Sequence, residues 1–287
     1  MPVCTVGNGI NINYRVYGEG FPLVLIHPFS ASLEFWATQI KKLSKKYRII
    51  AYDVRGHGLS SAPAGEENYT LDILVEDLHH LLTHLGVAKA YIGGLSLGGA
   101  VALGYAGRHP GTVKALLIFD IHGGFQPPSD PAMQAAMAEG REKGERYARE
   151  RGMADLARRQ IATGTVFPPI PDDEALRERH IERMAKFPVN GYIGVGRARP
   201  WEAEWQRTAA DNIKMPTLIT VGSDDMDMVK TGSMILHEHI KGSRHVEIKG
   251  SVHETARWRP DIFTRCVIDF LEAVEAGKPV AGEMTVG

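Results

Sequence analysis

In the stretch YIGGLSLGGAVALGY, Tyr91 to Tyr105, one hydroxyl, that of Ser96, stands between two pairs of glycines. Ala90 to Ile92 is short, apolar and bounded by glycine, as a buried strand would be. From Leu97 onward, small or apolar residues at 97, 100, 101 and 105 suit one face of a helix. The connection between strand and helix is therefore very tight, and Gly94 and Gly98 are the residues that let two backbones crowd together. Such a turn lifts Ser96 out of the sheet, and the N–H groups opening the helix point the same way. That pairing suits a nucleophilic oxygen with a donor beside it for the negative charge it creates. A serine hydroxyl is a poor nucleophile until a base takes its proton, and the base in turn needs an orienting acid. The plain alternative is a glycine-rich turn carrying an unreactive serine. A dinucleotide-binding turn fits less well, because Ser96 stands where G-x-G-x-x-G needs its middle glycine.

Gly94-x-Ser96-x-Gly98 matches the G-x-S-x-G nucleophile elbow, and with it the chain resembles the alpha/beta-hydrolase family. The resemblance implies the order serine, acid, histidine along the chain. A strand-like run at Thr217–Val221 leads into GSDDMD, and another at His245–Ile248 leads into KGSVHE. His253 is the implied base, since His27 and His57 precede the serine. The family's G-x-x-D after this strand falls on Gly222 to Asp225, which puts Asp225 ahead of Asp224 and Asp227 as the acid. Some relatives take the acid from the preceding strand, where LLIFD places Asp120.

The same resemblance implies an oxyanion hole built from the N–H groups of Phe29 and Leu97. The contributing loop usually begins His-Gly, but here it reads LIHPFSAS, with Pro28 in the glycine's place. Proline has no N–H and cannot reach positive φ, so this loop must be shaped differently. AYDVRGHGLSSAP, Ala51 to Pro63, is similar to the family's D-x-R-G-x-G-x-S-x-x-P segment. Its implied job is structural, so Asp53, Arg55 and His57 are not expected to form a separate site. The resemblance spans about Ile10 to Ala273 and is weakest in the middle of the chain.

The elements that must position these residues alternate along the chain. Strands are predicted at Ile10–Val16, Leu23–Ile26, Arg48–Tyr52 and Ala90–Ile92, then at Ala115–Phe119, Thr217–Val221 and His245–Ile248. Leucines and Val75 between Leu71 and Leu85 mark a helix at period 3.6, opened by Thr70 and closed by Gly86. Ile262, Phe263, Val267, Phe270 and Leu271 mark another. The fold class is therefore α/β, with a mostly parallel sheet flanked by helices and ligands bound at the carboxyl ends of the strands. Residues 126–210 break the rhythm with charged helical text, punctuated by PPSDP and FPPIPDD ahead of predicted helices. This segment holds 14 Lys/Arg and 13 Asp/Glu, so it is no basic arm, and its place on the ligand side of the sheet makes it a helical lid. The core is then residues 1–125 and 211–275, and residues 276–287 read as a flexible tail.

Bulk properties agree with an enzyme acting on a small molecule. The 287 residues are 44% hydrophobic with a net charge of -1, which argues against nucleic acid or an anionic membrane as partner. Two separated cysteines, Cys4 and Cys266, form no disulfide framework and no zinc site. No stretch approaches the roughly 18 apolar residues of a membrane span, and no signal peptide is evident, so the cytoplasm is the expected compartment. The mechanism implied needs neither metal nor organic cofactor. A carboxylic ester or lactone is the leading substrate class. Relatives also hydrolyse carbon–carbon bonds in ring-cleavage products, and a ligand receptor with little turnover is the non-enzymatic alternative. Phe125, Phe187 and Trp201 are the foremost candidates for an apolar acyl pocket, with Met133, Met137, Phe167, Tyr192 and Trp205 behind them; Arg197 or Arg199 is a candidate for a substrate carboxylate.

Overall fold

The computed structural model describes residues 2–121, 131–166, 169–170, 172–198 and 209–287, leaving aside the side chains of Asn8 and Met133. Nine strands form one sheet: β1 (Val3–Val6), β2 (Ile10–Tyr17), β3 (Phe21–Ile26), β4 (Tyr47–Tyr52), β5 (Ala90–Leu95), β6 (Val113–Phe119), β7 (Thr217–Gly222), β8 (Arg244–Ile248) and β9 (Gly282–Val286). Their spatial order is β1-β2-β4-β3-β5-β6-β7-β8-β9. β1 and β2 pair antiparallel, β2 pairs antiparallel with β4, and every later pairing is parallel. All seven strands expected from sequence are present.

Parallel strands covered on both faces read as continuous apolar runs, and their side chains still part by alternation. Val24 and Ile26 of β3 join Ile92 and Ile118 on one face, beneath α2 (Leu71–His84) and α3 (Leu97–Arg108). Leu23 and Leu25 join Tyr91, Leu117 and Phe119 on the other, beneath α1 (Ala37–Leu43) and the long helix Pro260–Glu275. The Thr70 hydroxyl accepts from Ile73 N–H and caps α2, while Gly86 beyond its end takes φ 64°. Among the described residues, no helix is long and apolar enough to cross a membrane.

A helical insertion follows β6. Its described helices are α4 (Pro131–Arg151), α5 (Met153–Thr163), α6 (Glu174–Ala185) and α7 (Val189–Arg197). Asp173, the last residue of FPPIPDD, caps α6 by accepting from Leu176 N–H. Ala148, Met153, Leu156, Ala157, Met184 and Phe187 form a small core of the insertion's own, and Phe29 packs against it. The rest of the chain adds α8 (Asp227–His239), α9 (Thr255–Trp258) and α10 (Pro260–Glu275).

Two departures from the sequence reading lie at the sheet's edges. Val3–Val6 pairs with β2, although its four residues are too few to show a pattern. The last residues, read as a flexible tail, instead place Gly282–Val286 parallel to β8. The side chains of β9 are mostly exposed, so the strand is held by backbone pairing and carries no hydrophobic signature.

Candidate active site

Ser96 joins β5 to α3 with φ 53° and ψ −111°, a backbone conformation that costs a non-glycine residue on the order of 1–3 kcal/mol. Serine at the start of a helix normally caps it, but Ser96 makes no cap hydrogen bond. Its hydroxyl is therefore not spent on the helix. The glycines on either side are required by close approach: a Cβ on Gly94 would lie 2.1 Å from Gly98 O, and one on Gly98 would lie 2.2 Å from Ile26 O. Ser96 N–H donates to Phe119 O at 2.9 Å, pinning the turn to the end of β6.

The carboxyl ends of β6, β7 and β8 bring the acid and base together. Asp120 N–H donates to Thr220 O, Ser223 N–H to Ile248 O and Asp224 N–H to Ser251 O, so the three loops are laced side by side. Within them, His253 Nδ1 lies 2.9 Å from Asp225 Oδ2, and both residues are buried. The carboxylate accepts, so the proton sits on Nδ1 and Nε2 is the basic nitrogen. Met226 N–H donates to the other oxygen of Asp225 and fixes the carboxylate plane. Burial disfavours the imidazolium, but the hydrogen bond and charge of Asp225, aided by Asp120 and Glu254, carry the His253 pKa above its usual value.

The other acids are engaged elsewhere. Asp224 is exposed and accepts from the Ser223 hydroxyl, and Asp227 faces Lys230 at 3.1 Å. Asp120, fully buried at φ 44°, uses both oxygens on the Thr255 hydroxyl and one on the Thr255 N–H. It thereby anchors the start of α9. Burial lifts its pKa to about 7; the Asp225 charge adds to that, while the His253 charge and the Thr255 hydrogen bonds oppose it.

The loop after β3 replaces the missing glycine with a turn one step further on. Ala31 N–H donates to Pro28 O at 3.3 Å, and Ser30 takes the positive φ, 57°. Two buried histidines hold this loop to the segment after β4. His27 Nε2 accepts from Val54 N–H, so its Nδ1 donates to Pro28 O at 2.7 Å. His57 Nε2 accepts from Ser30 N–H, so its Nδ1 donates toward Arg55 O. Burial pulls both imidazole pKa values down and keeps the rings neutral. Neither Phe29 N–H nor Leu97 N–H has an acceptor among the described residues. Two unspent donors remain, one on the loop after β3 and one in the elbow. The histidines were legible only as residues outside the serine–acid–histidine order; their work is to shape the loop.

The segment after β4 is structural throughout. Asp53 accepts from Asn13 Nδ2, Leu33 N–H and Leu59 N–H, and Arg55 makes a two-pronged buried ion pair with Asp77. Among the pocket candidates, Phe187 is 5% exposed and stacks on His57 at 4.5 Å, with Phe29 edge-on at 5.4 Å. It also lines a cavity of about 820 Å³ beside the loop after β3, a cavity whose wall does not include Ser96. Met137 is exposed, and Tyr192 lies against Phe29 and Phe187. Arg197 is taken up by Glu145 and Glu66, an ion-pair clamp between α4, α7 and the core. Phe125, Phe167, Arg199, Trp201 and Trp205 lie outside the described residues.

Residues 22–260 match the model of the alpha/beta hydrolase fold. The chain belongs to the alpha/beta hydrolase fold family. Among curated members, it is 27% identical over 262 residues to 3-oxoadipate enol-lactonase 2 of Acinetobacter baylyi, covering 90% of this chain and 92% of that one. Among solved structures of the family, the enol-lactonase from Burkholderia xenovorans LB400 superposes with a TM-score of 0.79 at 28% identity, covering 94% of this chain and all, 100%, of that one. A structure described with carboxylesterases of Nitrososphaera gargenis superposes at 0.81 with 26% identity, covering 96% and 100%.

Proposed function

We propose that this alpha/beta hydrolase cleaves a carboxylic ester or lactone through an acyl-enzyme on Ser96. The observation that carries the reading is the buried pairing of His253 Nδ1 with Asp225, which leaves Nε2 as the basic nitrogen. The uncapped Ser96 bonds through its N–H to Phe119 O, and Thr255, two residues beyond His253, bonds to Asp120, so both segments meet the end of β6. Similarity to an enol-lactonase and to carboxylesterases supports an ester or lactone as the substrate.

In the first step His253 Nε2 takes the Ser96 proton as Oγ bonds to the substrate carbonyl carbon. The negative charge moves to the carbonyl oxygen, where the N–H groups of Phe29 and Leu97 receive it. Asp225 stabilises the imidazolium that forms. As the carbon–oxygen bond to the leaving alcohol breaks, His253 returns the proton to that oxygen. Water, deprotonated by the same nitrogen, then attacks the acyl carbon and releases the acid and free Ser96. In a lactone the leaving oxygen stays tethered, and the product is a single hydroxy acid or, from an enol lactone, the keto acid formed when the released enol tautomerises.

The test is covalent labelling with a fluorophosphonate, mapped by mass spectrometry, together with turnover of short esters and lactones. Labelling is expected at Ser96 and absent in Ser96→Ala, with turnover reduced to ~10³ over water. Labelling at another serine, or full activity in Ser96→Ala, would overturn the assignment.

A further inference from the structure

Helix α6 turns one face, Leu176, Arg179, His180 and Arg183 at helical spacing, toward a cavity of about 460 Å³. Glu254 and Arg257 of the His253 loop and α9 form the opposite wall. Three guanidinium groups thus line the pocket with one carboxylate, and the charges of the wall do not balance.

Arg183 is the central group. One of its nitrogens donates to Ser30 O at 3.2 Å and another to His180 Nδ1 at 2.9 Å. Both acceptors are neutral, and among the described residues no carboxylate lies within ion-pair distance of Arg183. A guanidinium can only donate, so His180 Nδ1 must accept and its proton must sit on Nε2. His180 is 8% exposed, and that Nε2 is buried without a hydrogen-bond partner. Burial first, then the charges of Arg183 and Arg257, lower the His180 pKa to about 4, so the ring does not add a charge of its own at neutral pH. A buried donor without a partner is costly, and the partly buried guanidinium beside it has only the charge of Glu254 across the pocket to set against it, so one anionic oxygen pair relieves both.

The remaining charges define the ligand further. Arg257 approaches Glu254 Oε2 at 2.6 Å without hydrogen-bond alignment, and among the described residues Arg179 donates through Nε to Ala175 O alone. The open donor on His180 Nε2 and the Arg183 guanidinium beside it match the two oxygens of a carboxylate, and inorganic phosphate is the competing anion. Leu176 and Trp258 add apolar surface for a short methylene chain. Glu254, which follows His253, lines the pocket, and Arg183 in its wall donates to the carbonyl of Ser30, which follows Phe29. Arg179, Arg183 and Arg257 also line the larger cavity beside the loop after β3, so the cationic cluster sits where the two spaces meet.

We propose that this pocket holds a free carboxylate at the far end of the substrate, so that the enzyme prefers esters or lactones of dicarboxylic acids. Its assignment to the substrate rests on the hydrolase reading above; the pocket itself does not.

The experiment compares kcat/KM for monomethyl esters of linear four- to eight-carbon diacids with methyl esters of the matching monoacids. The variants are Arg183→Gln, Arg183→Lys and His180→Phe, each checked for folding by its Tm. Wild type is expected to favour the charged ester by about tenfold or more at one chain length. Arg183→Gln should erase that ratio whatever it does to the neutral ester, because Arg183 also touches the Ser30 carbonyl. Arg183→Lys should keep part of it, and His180→Phe should lower it. A ratio unchanged in Arg183→Gln, or a neutral preference at every length, overturns the proposal. A second arm measures the Tm rise produced by pentanoate and by inorganic phosphate. Pentanoate stabilisation that Arg183→Gln abolishes supports the pocket even if no ester is cleaved, in which case the hydrolase reading alone has failed. Stabilisation by phosphate and not by pentanoate overturns the choice of carboxylate.

Discussion

Asp225 Oδ2 lies 2.9 Å from His253 Nδ1, at a distance of 28 residues along the chain and with both side chains nearly sealed from solvent. That contact sets the tautomer of the imidazole and supplies the charge opposite the imidazolium. Asparagine keeps the shape and removes the charge, a change that costs about 10⁴ in kcat in the best-studied triad. Asp225→Asn is therefore expected to lower kcat by ~10³ or more. Asp224→Asn, Asp227→Asn and Asp120→Asn should each cost less than about tenfold, since none of those carboxylates hydrogen-bonds His253. A folded, inactive Asp120→Asn beside an active Asp225→Asn would move the acid to the end of β6.

The base must be neutral to act, and its pKa is raised above the usual 6.5, burial being outweighed by Asp225, Asp120 and Glu254. The acid limb of the kcat/KM profile should therefore have its midpoint above pH 6.5. In Asp225→Asn the residual activity should show that midpoint displaced to lower pH, because the raising interaction is gone while burial remains. A wild-type midpoint at or below the ordinary histidine value would contradict the pairing.

Asp120 gives a stability signature of its own. Its folded pKa is about 7 against an ordinary 3.8, so between these values the folded state holds a proton that the unfolded chain has released. The sign follows: this carboxyl makes stability fall as pH rises from about 4 to 7. Denaturant titrations at several pH values should show a flatter dependence across that window for Asp120→Asn. An identical slope in both proteins would mean that the group ionises normally.

Phe187 joins the insertion to the core through His57 and Phe29. Removing a buried phenylalanine ring costs about 3–5 kcal/mol when the surroundings cannot collapse. Phe187→Ala should lower Tm by roughly 6 °C or more, at 2–4 °C per kcal/mol for a chain of this size class. Because the ring also borders the loop that carries Phe29 N–H and lines the neighbouring cavity, the ratio of kcat/KM for short and long acyl chains should change as well. A stable variant with an unchanged ratio would leave the ring no part in either role.

Features written in short, steric language were readable from the chain alone. The elbow around Ser96 is one, since only glycine tolerates backbone 2.1 Å from where a Cβ would stand. The seven central strands, the Thr70 cap and the helix start after FPPIPDD are others, because burial on two faces and an unsatisfied helix start leave local marks. The edge strand β9 left none, as backbone pairing asks nothing of exposed side chains. The choice among Asp120, Asp224, Asp225 and Asp227 also waited on tertiary structure. All four follow strands, and only the lacing of three loops decides which oxygen meets His253 Nδ1. The loop at Pro28 was legible as an anomaly, but its solution, Ser30 at positive φ held by His57, joins residues 27 apart. Arg183, one arginine among several in a charged helix, acquired meaning only when folding set it against Ser30 and His180, with Glu254 across the pocket and no carboxylate in ion-pair contact among the described residues. Helical periodicity records which residues share a face; it carries no record of what that face will meet, because such contacts form between segments whose separation in sequence is arbitrary.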